Sequence, residues 1–141
     1  YGLEPLSKEF TAKYLFEKLK EKSGKIKAVL MDQKIVTGLG NIYTDESLFE
    51  AGIKPTRVAS SITKEEASKL HKVIIRILKR AIQVGGSSVA TYRLLDKSKG
   101  NYAREHKVYG KGGEKCPRCK TPLQKILVQT RTTIFCPKCQ K

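Results

Sequence analysis

Four cysteines fall into two matched pairs, Cys116-Pro117-Arg118-Cys119 and Cys136-Pro137-Lys138-Cys139, with sixteen residues between the pairs. A CxxC turn aims two thiolates at one point, and a hairpin between two such turns brings all four sulfurs together. The chemistry this points to is a tetrahedral metal site made of four thiolates. The two-hairpin context favours zinc over an iron–sulfur cluster. Four thiolates leave no position open for water or substrate, so the one Zn2+ expected here is structural. Paired disulfides are the weaker reading: Tyr1-Gly2-Leu3-Glu4-Pro5 shows no basic or apolar leader that would mark a secreted chain. A redox CxxC needs only one pair, beside a βαβ pattern that is absent here. Neither His71 nor His106 is needed as a ligand.

Charge supplies the second signal. Lys and Arg number 29 against 13 Asp and Glu, a net charge of +16 with a sequence pI near 9.8. A field that positive draws polyanions, and nucleic acid is the partner class it favours. The 39% hydrophobic content suits a folded soluble chain. No apolar run is long enough to cross a membrane as a helix. Lys115, Arg118, Lys120, Lys125, Arg131, Lys138 and Lys141 surround the cysteines. Arg131 is expected at the tip of the intervening hairpin, where a guanidinium can fork onto phosphate.

A third candidate is the turn Gly38-Leu39-Gly40-Asn41. It fails as a dinucleotide fingerprint, because position 43 is Tyr and no parallel-strand unit surrounds it. Glycines still let backbone approach a ligand closely, and free amides at a helix start favour an anion. Catalytic motifs are missing: the chain has no GxSxG, no free cysteine beside a histidine and no zinc with an open site. No catalytic residue is expected within it.

The elements that must position these groups can be read from periodicity. Thr11 caps a helix with Ala12, Leu15, Phe16 and Leu19 on its apolar side, broken at Ser23-Gly24. A short helix follows over about Lys25 to Asp32. Asn41 is expected to cap the next helix, with Asp45 and Glu46 complementing its positive end and Gly52 stopping it. Thr63 and Glu66 form a capping box for a long helix to Val84, with apolar residues at i, i+3, i+4 and i+7, ended by Gly85-Gly86. Residues 87–106 are polar and aperiodic. Leu123–Val128 and Thr132–Phe135 read as two strands joined by a turn at Gln129-Thr130-Arg131.

Several segments together, in order and nearly end to end, resemble the formamidopyrimidine-DNA glycosylase family of base-excision repair enzymes. They are Gly2-Leu3-Glu4-Pro5-Leu6, Ile26 to Gln33, Gly38 to Glu46, Val108-Tyr109-Gly110 and Arg131 to Cys139. The match is to the C-terminal half of those proteins. The resemblance implies a mainly α fold with a small β zinc module: a helix–two-turn–helix DNA-binding domain over residues 1–86, a lesion-covering loop region over 87–109, and a β-hairpin four-cysteine zinc finger over 110–141. It implies binding of damaged double-stranded DNA by its phosphates. Asn41 and Arg131 match phosphate-binding positions, Lys27 and Tyr109 match positions near the backbone, Gly40 belongs to the same turn, and Glu46 borders the family's active site. Gly100 keeps the loop's glycine, but Asn101-Tyr102 stands where an aromatic pair is usual. The family attacks C1′ with an N-terminal proline beside a glutamate, and Tyr1-Gly2 does not match that pair. The chemistry is therefore expected from an N-terminal half, joined to this one or supplied as a separate chain. The remaining expectations are a monomer in the bacterial cytosol, associated with the nucleoid. The alternative is a free-standing zinc-ribbon module that binds nucleic acid or protein with no repair role.

Overall fold

The computed structural model of the protein describes residues 1–85 and 106–141. The expectations for Gly86, Gly100, Asn101 and Tyr102, and most of the 87–109 loop region, lie outside those residues. Four helices come first: α1 (Ala12–Lys20), α2 (Ile26–Leu30), α3 (Asn41–Ala51) and α4 (Lys64–Gly85). An antiparallel hairpin follows, β1 (Gln124–Val128) with β2 (Arg131–Phe135). None of the described helices is long and apolar enough to cross a membrane.

Local chemistry sets the helix ends. The Thr11 hydroxyl accepts the Tyr14 amide at 3.0 Å and starts α1, whose Leu15 and Leu19 are buried. The capping box of α4 is complete: the Glu66 amide donates to Thr63 Oγ1 at 3.1 Å, and the Thr63 amide donates to Glu66 Oε1 at 2.9 Å. Arg57 then forks onto the same Glu66 carboxylate at 2.7 and 2.9 Å. The stripe Ala67, Leu70, Ile74, Ile77, Leu78 and Ala81 packs with Leu15, Leu19, Ile26, Leu30, Leu39 and Leu48 into one core.

The start of α3 departs from the sequence expectation. Gly40, not Asn41, is the cap; its carbonyl accepts the Thr44 amide at 3.0 Å and the Thr44 hydroxyl at 2.7 Å. Asn41 is the first helical residue, so its side chain is free to reach elsewhere. Asp45 and Glu46 lie beyond the first turn and are buried at 2% and 3% exposure, so they do not act as exposed dipole partners. Gly52, at φ +74°, ends the helix as expected.

The hairpin corrects a second expectation. Val128 pairs with Arg131, leaving a two-residue turn of Gln129 and Thr130 at φ +46° and +66°. Two left-handed residues make a turn whose twist suits the flanking strands. Arg131 is therefore the first residue of β2, fixed in the ladder, and not a turn residue. A second small core holds this module: Phe49, Val108, Cys116, Leu123, Ile134 and Cys136. Phe49 comes from α3, so the metal module completes its interior with a helix of the larger unit.

The Arg57 hydrogen bonds hold the Glu66 carboxyl down at about 2, with the Thr63 amide and hydroxyl adding to the effect. A depressed folded pKa gives stability that is present above the unfolded value of 4.5 and lost as pH falls towards 2. Glu66→Gln keeps the capping geometry and removes the charge. It should cost up to about 1 kcal/mol at pH 7 in thermal melts, with the difference from the parent closing between pH 4.5 and 2.

Candidate nucleic-acid interface and metal centre

The four cysteine sulfurs lie within 4.8 Å of one another. Cys116 Sγ stands 3.8 Å from Cys139 Sγ, and Cys119 Sγ stands 3.4 Å from Cys136 Sγ. Tetrahedral zinc with Zn–S bonds of about 2.3 Å places its sulfurs roughly 3.8 Å apart. Backbone amides already point at two of the sulfurs, Arg118 N at Cys116 (3.4 Å) and Cys139 N at Cys136 (3.3 Å). Hydrogen bonds from the Thr121 hydroxyl and amide draw the Cys119 thiol down to about 6, while burial and the neighbouring cysteines push Cys139 up to about 12. The four cysteines are thus positioned to bind one zinc ion, with every coordination position filled by protein. His71 is no ligand; its ring bonds the Phe10 carbonyl at 2.7 Å.

Both cysteine turns are tied to α3 and the residues after it. Gln140 is buried; its amide donates to the Ile53 carbonyl at 2.9 Å and its oxygen accepts the Cys136 amide at 2.8 Å. The Lys141 amide donates to the Gly52 carbonyl and the Lys141 carbonyl accepts the Lys54 amide. On the other turn, the Arg118 guanidinium lies over the Phe49 ring at 4.7 Å and reaches Glu50 at 2.7 Å. Glu50 also takes Arg76 and Lys107. Burial pushes its carboxyl up, but Lys107, Arg118 and Arg76 together hold it below the ordinary range.

Between this module and the helices lies a cleft of about 520 Å3, lined by Asn41, Tyr109, Lys125, Thr130, Arg131 and Thr132 among others. Asn41 reaches it because Gly40 does the capping: its Nδ2 donates to the Thr132 carbonyl at 3.1 Å. Arg131 is exposed and has no acidic partner among the described residues. Tyr109 is half-buried, edge-on to His106 at 5.5 Å between ring centres. Three of the six sequence candidates for contact with DNA, Asn41, Tyr109 and Arg131, are thus brought to one opening.

The other three have different roles. Glu46 is buried; its carboxylate accepts the amides of Lys107 (2.7 Å), Val108 (2.9 Å) and Tyr109 (2.8 Å). It places Tyr109 and does not itself face the cleft. Lys27 is also interior, with its side chain 1% exposed beside Asp45 at 2.8 Å, so it is not a direct phosphate contact. Gly40 starts α3. Sequence reasoning missed Asp45, whose carboxyl burial raises to about 6 even though Lys27 and the Ile134 amide oppose the rise. One signal could have revealed the pair. Lys27 stands in Ile26-Lys27-Ala28-Val29-Leu30, an apolar segment in which a lone cation must find a buried partner.

A helical domain that offers a turn and a helix start to a cleft, completed by the hairpin of a four-cysteine zinc finger, defines a helix–two-turn–helix protein with a zinc module. The chain belongs to the formamidopyrimidine-DNA glycosylase family. The family model described as the formamidopyrimidine-DNA glycosylase H2TH domain matches residues 1–93, and the zinc finger found in FPG and IleRS matches residues 113–141. The formamidopyrimidine-DNA glycosylase of Carboxydothermus hydrogenoformans is 47% identical over 140 residues, covering 99% of this chain and 53% of that protein. That of Photobacterium profundum is 46% identical, with 99% and 52% covered. Among solved structures, Lactococcus lactis Fpg in complex with DNA containing an abasic site has a TM-score of 0.85 at 47% identity, with 99% of this chain and 51% of that one covered. MutM (Fpg) from Thermus thermophilus has a TM-score of 0.86 at 41% identity, with 99% and 53% covered. The chain thus spans about half the length of the curated relatives it matches.

Structural zinc contributes apparent binding free energy on the order of 10 kcal/mol, so a module this small should not hold together without it. Cys136→Ser should lower bound zinc from one equivalent to none. Amide exchange should rise through residues 108–136 and extend into the C-terminal half of α3 around Phe49, while α4 stays protected. Unchanged protection in α3 would show that Phe49 does not depend on the module.

Proposed function

We propose that this chain grips the sugar–phosphate backbone of damaged duplex DNA at the cleft between α3 and the hairpin. It acts as the zinc- and DNA-binding C-terminal half of a bifunctional formamidopyrimidine or oxidised-purine DNA glycosylase–AP lyase in base-excision repair. The observation that carries this reading is the convergence of Asn41, from a helix start, and Arg131, from a strand, on one opening. Tyr109 and Lys125 line the same opening. An amide, a guanidinium and an ammonium on one concave surface suit phosphate oxygens, and no acidic side chain but the buried Asp45 lines it among the described residues. The net charge of +16 supplies the long-range attraction. The Lactococcus lactis relative has been solved with abasic-site DNA and with FAPY-dG DNA.

By the family resemblance, the imine chemistry of a glycosylase–lyase belongs to an N-terminal half, in the same polypeptide or in a partner chain, and the working unit is a monomeric bacterial cytosolic enzyme. A zinc ribbon acting alone is disfavoured, because Phe49 of the helical unit builds the interior of the zinc module.

Each neutralised phosphate adds about 0.9 to the slope of log affinity against log salt. Arg131→Ala should weaken binding of the zinc-loaded chain to an abasic-site duplex by about tenfold or more and reduce that slope by about 0.9. Affinity indifferent to salt, or an Arg131→Ala chain that binds like the parent, would sink the reading.

A further inference from the structure

Lys27 is the only lysine or arginine that is fully buried among the described residues. Its ammonium carries three N–H groups, and three oxygens stand around it: Asp45 Oδ1 at 2.8 Å, Thr133 Oγ1 at 2.7 Å and the Thr132 carbonyl at 2.9 Å. Two of these oxygens lead on to the cleft. The Thr132 carbonyl also accepts Asn41 Nδ2 at 3.1 Å. The Thr133 hydroxyl donates its own hydrogen to the Arg131 carbonyl at 3.0 Å.

We propose that Lys27, held by Asp45, is a positioning residue that sets the Asn41 side chain through the Thr132 carbonyl and the Arg131 backbone through the Thr133 hydroxyl, without touching DNA. The inference rests on the reading of the cleft as a phosphate site. Its logic is directional. A hydroxyl that accepts from an ammonium must turn its hydrogen away, and here the acceptor on that side is the Arg131 carbonyl. A carbonyl oxygen has two lone pairs. With Lys27 on one, Asn41 takes the other, and this orients its amide with nitrogen towards the hairpin. Asp45 reinforces the arrangement from the next step of the strand, because its Oδ2 accepts the Ile134 amide at 3.2 Å. One buried ion pair therefore fixes residues 131 to 134 of β2 and the first residue of α3 relative to one another.

The test is a set of thermodynamic cycles, read as affinity of the zinc-loaded chain for a duplex carrying one abasic-site analogue at low salt. Lys27→Met alone would strand a buried carboxylate, so the variant is Lys27→Met with Asp45→Asn, which removes both charges and keeps the shape. It should weaken binding by roughly tenfold in the native background. It should have less than about a twofold effect when Asn41→Ala and Arg131→Ala are already present. Thr133→Val keeps the ion pair and the side-chain shape and removes only the relay hydroxyl. It should weaken binding in the native background and add nothing on top of Arg131→Ala. Equal losses in both backgrounds, or no loss in the native one, would overturn the proposal. A lysine that merely supported folding would lower affinity alike in every background. Zinc content and circular dichroism report whether the charge-removed variant folds; where it does not, Thr133→Val decides. Failure of the unsubstituted chain to bind the duplex would remove the cleft reading itself, and the relay with it, before any variant is compared.

Discussion

A helix buried along nearly its whole length must find partners for the charged and amide side chains it carries, and α3 lives under that constraint. It lies between α4 and the metal module, with Ile42 to Phe49 all buried. Unpaired polar groups in such a place cost several kcal/mol each. α3 nonetheless carries Asn41, Asp45, Glu46 and Glu50. Each is met by a different neighbouring segment: the Thr132 carbonyl for the Asn41 amide nitrogen, Lys27 with the Ile134 amide, the amides of residues 107–109, and the cations Arg76, Lys107 and Arg118. Of these groups, the Asn41 amide oxygen alone is buried without a hydrogen-bond or ion-pair partner among the described residues. The helix therefore acts as a polar spine. It dictates where the hairpin, the Tyr109 segment and the first cysteine turn can sit.

Such contacts are better at fixing geometry than at adding stability. A buried ion pair such as Lys27–Asp45 roughly breaks even against a well-packed apolar pair, because desolvation offsets the attraction. The rise of Asp45 to about 6 under burial shows the cost in the same residue. What the pair supplies is register: only one seating of β2 against α3 gives Lys27 its three oxygens. The stability that holds the seating comes from elsewhere, from the zinc site and from Phe49, whose ring is buried in the module's interior and covered by Arg118.

This division explains what the sequence made legible. The cysteine spacing, the Thr63–Glu66 capping box, the Gly52 stop and the two strands are local patterns, and local patterns survive in one dimension. The same local logic cast Asn41 as a cap, because asparagine is a good one. In the fold a glycine takes that position, and the asparagine side chain is drawn off by a carbonyl 91 residues away. The resemblance places Lys27 near the DNA backbone and Glu46 beside the family's active site, because resemblance transfers position along the chain and carries no information on burial. Glu46 meets residues 107–109 across more than 60 residues of sequence, a pairing that no periodicity announces. Arg131 was displaced by one step, since Gln129 and Thr130 adopt left-handed backbone that neither residue advertises.

On the proposed reading as a phosphate site, the cleft depends on two units that would each be poor at holding phosphate alone. The helical unit offers Asn41, a neutral amide with little Coulombic pull. The hairpin offers Arg131, a strong charge on a long side chain that would wander on an isolated two-stranded ribbon, which is marginally stable in water. Ordering such a side chain at the moment of binding costs about 0.5–1.5 kcal/mol. Anchoring the Arg131 backbone through Thr133 to the same lysine that orients Asn41 fixes where that side chain starts, so only its own rotamers remain to be ordered at binding. The zinc module is therefore not an independent DNA-binding finger appended to a helical domain. It is the second wall of a site whose first wall is α3, and the buried lysine is where the two walls are joined.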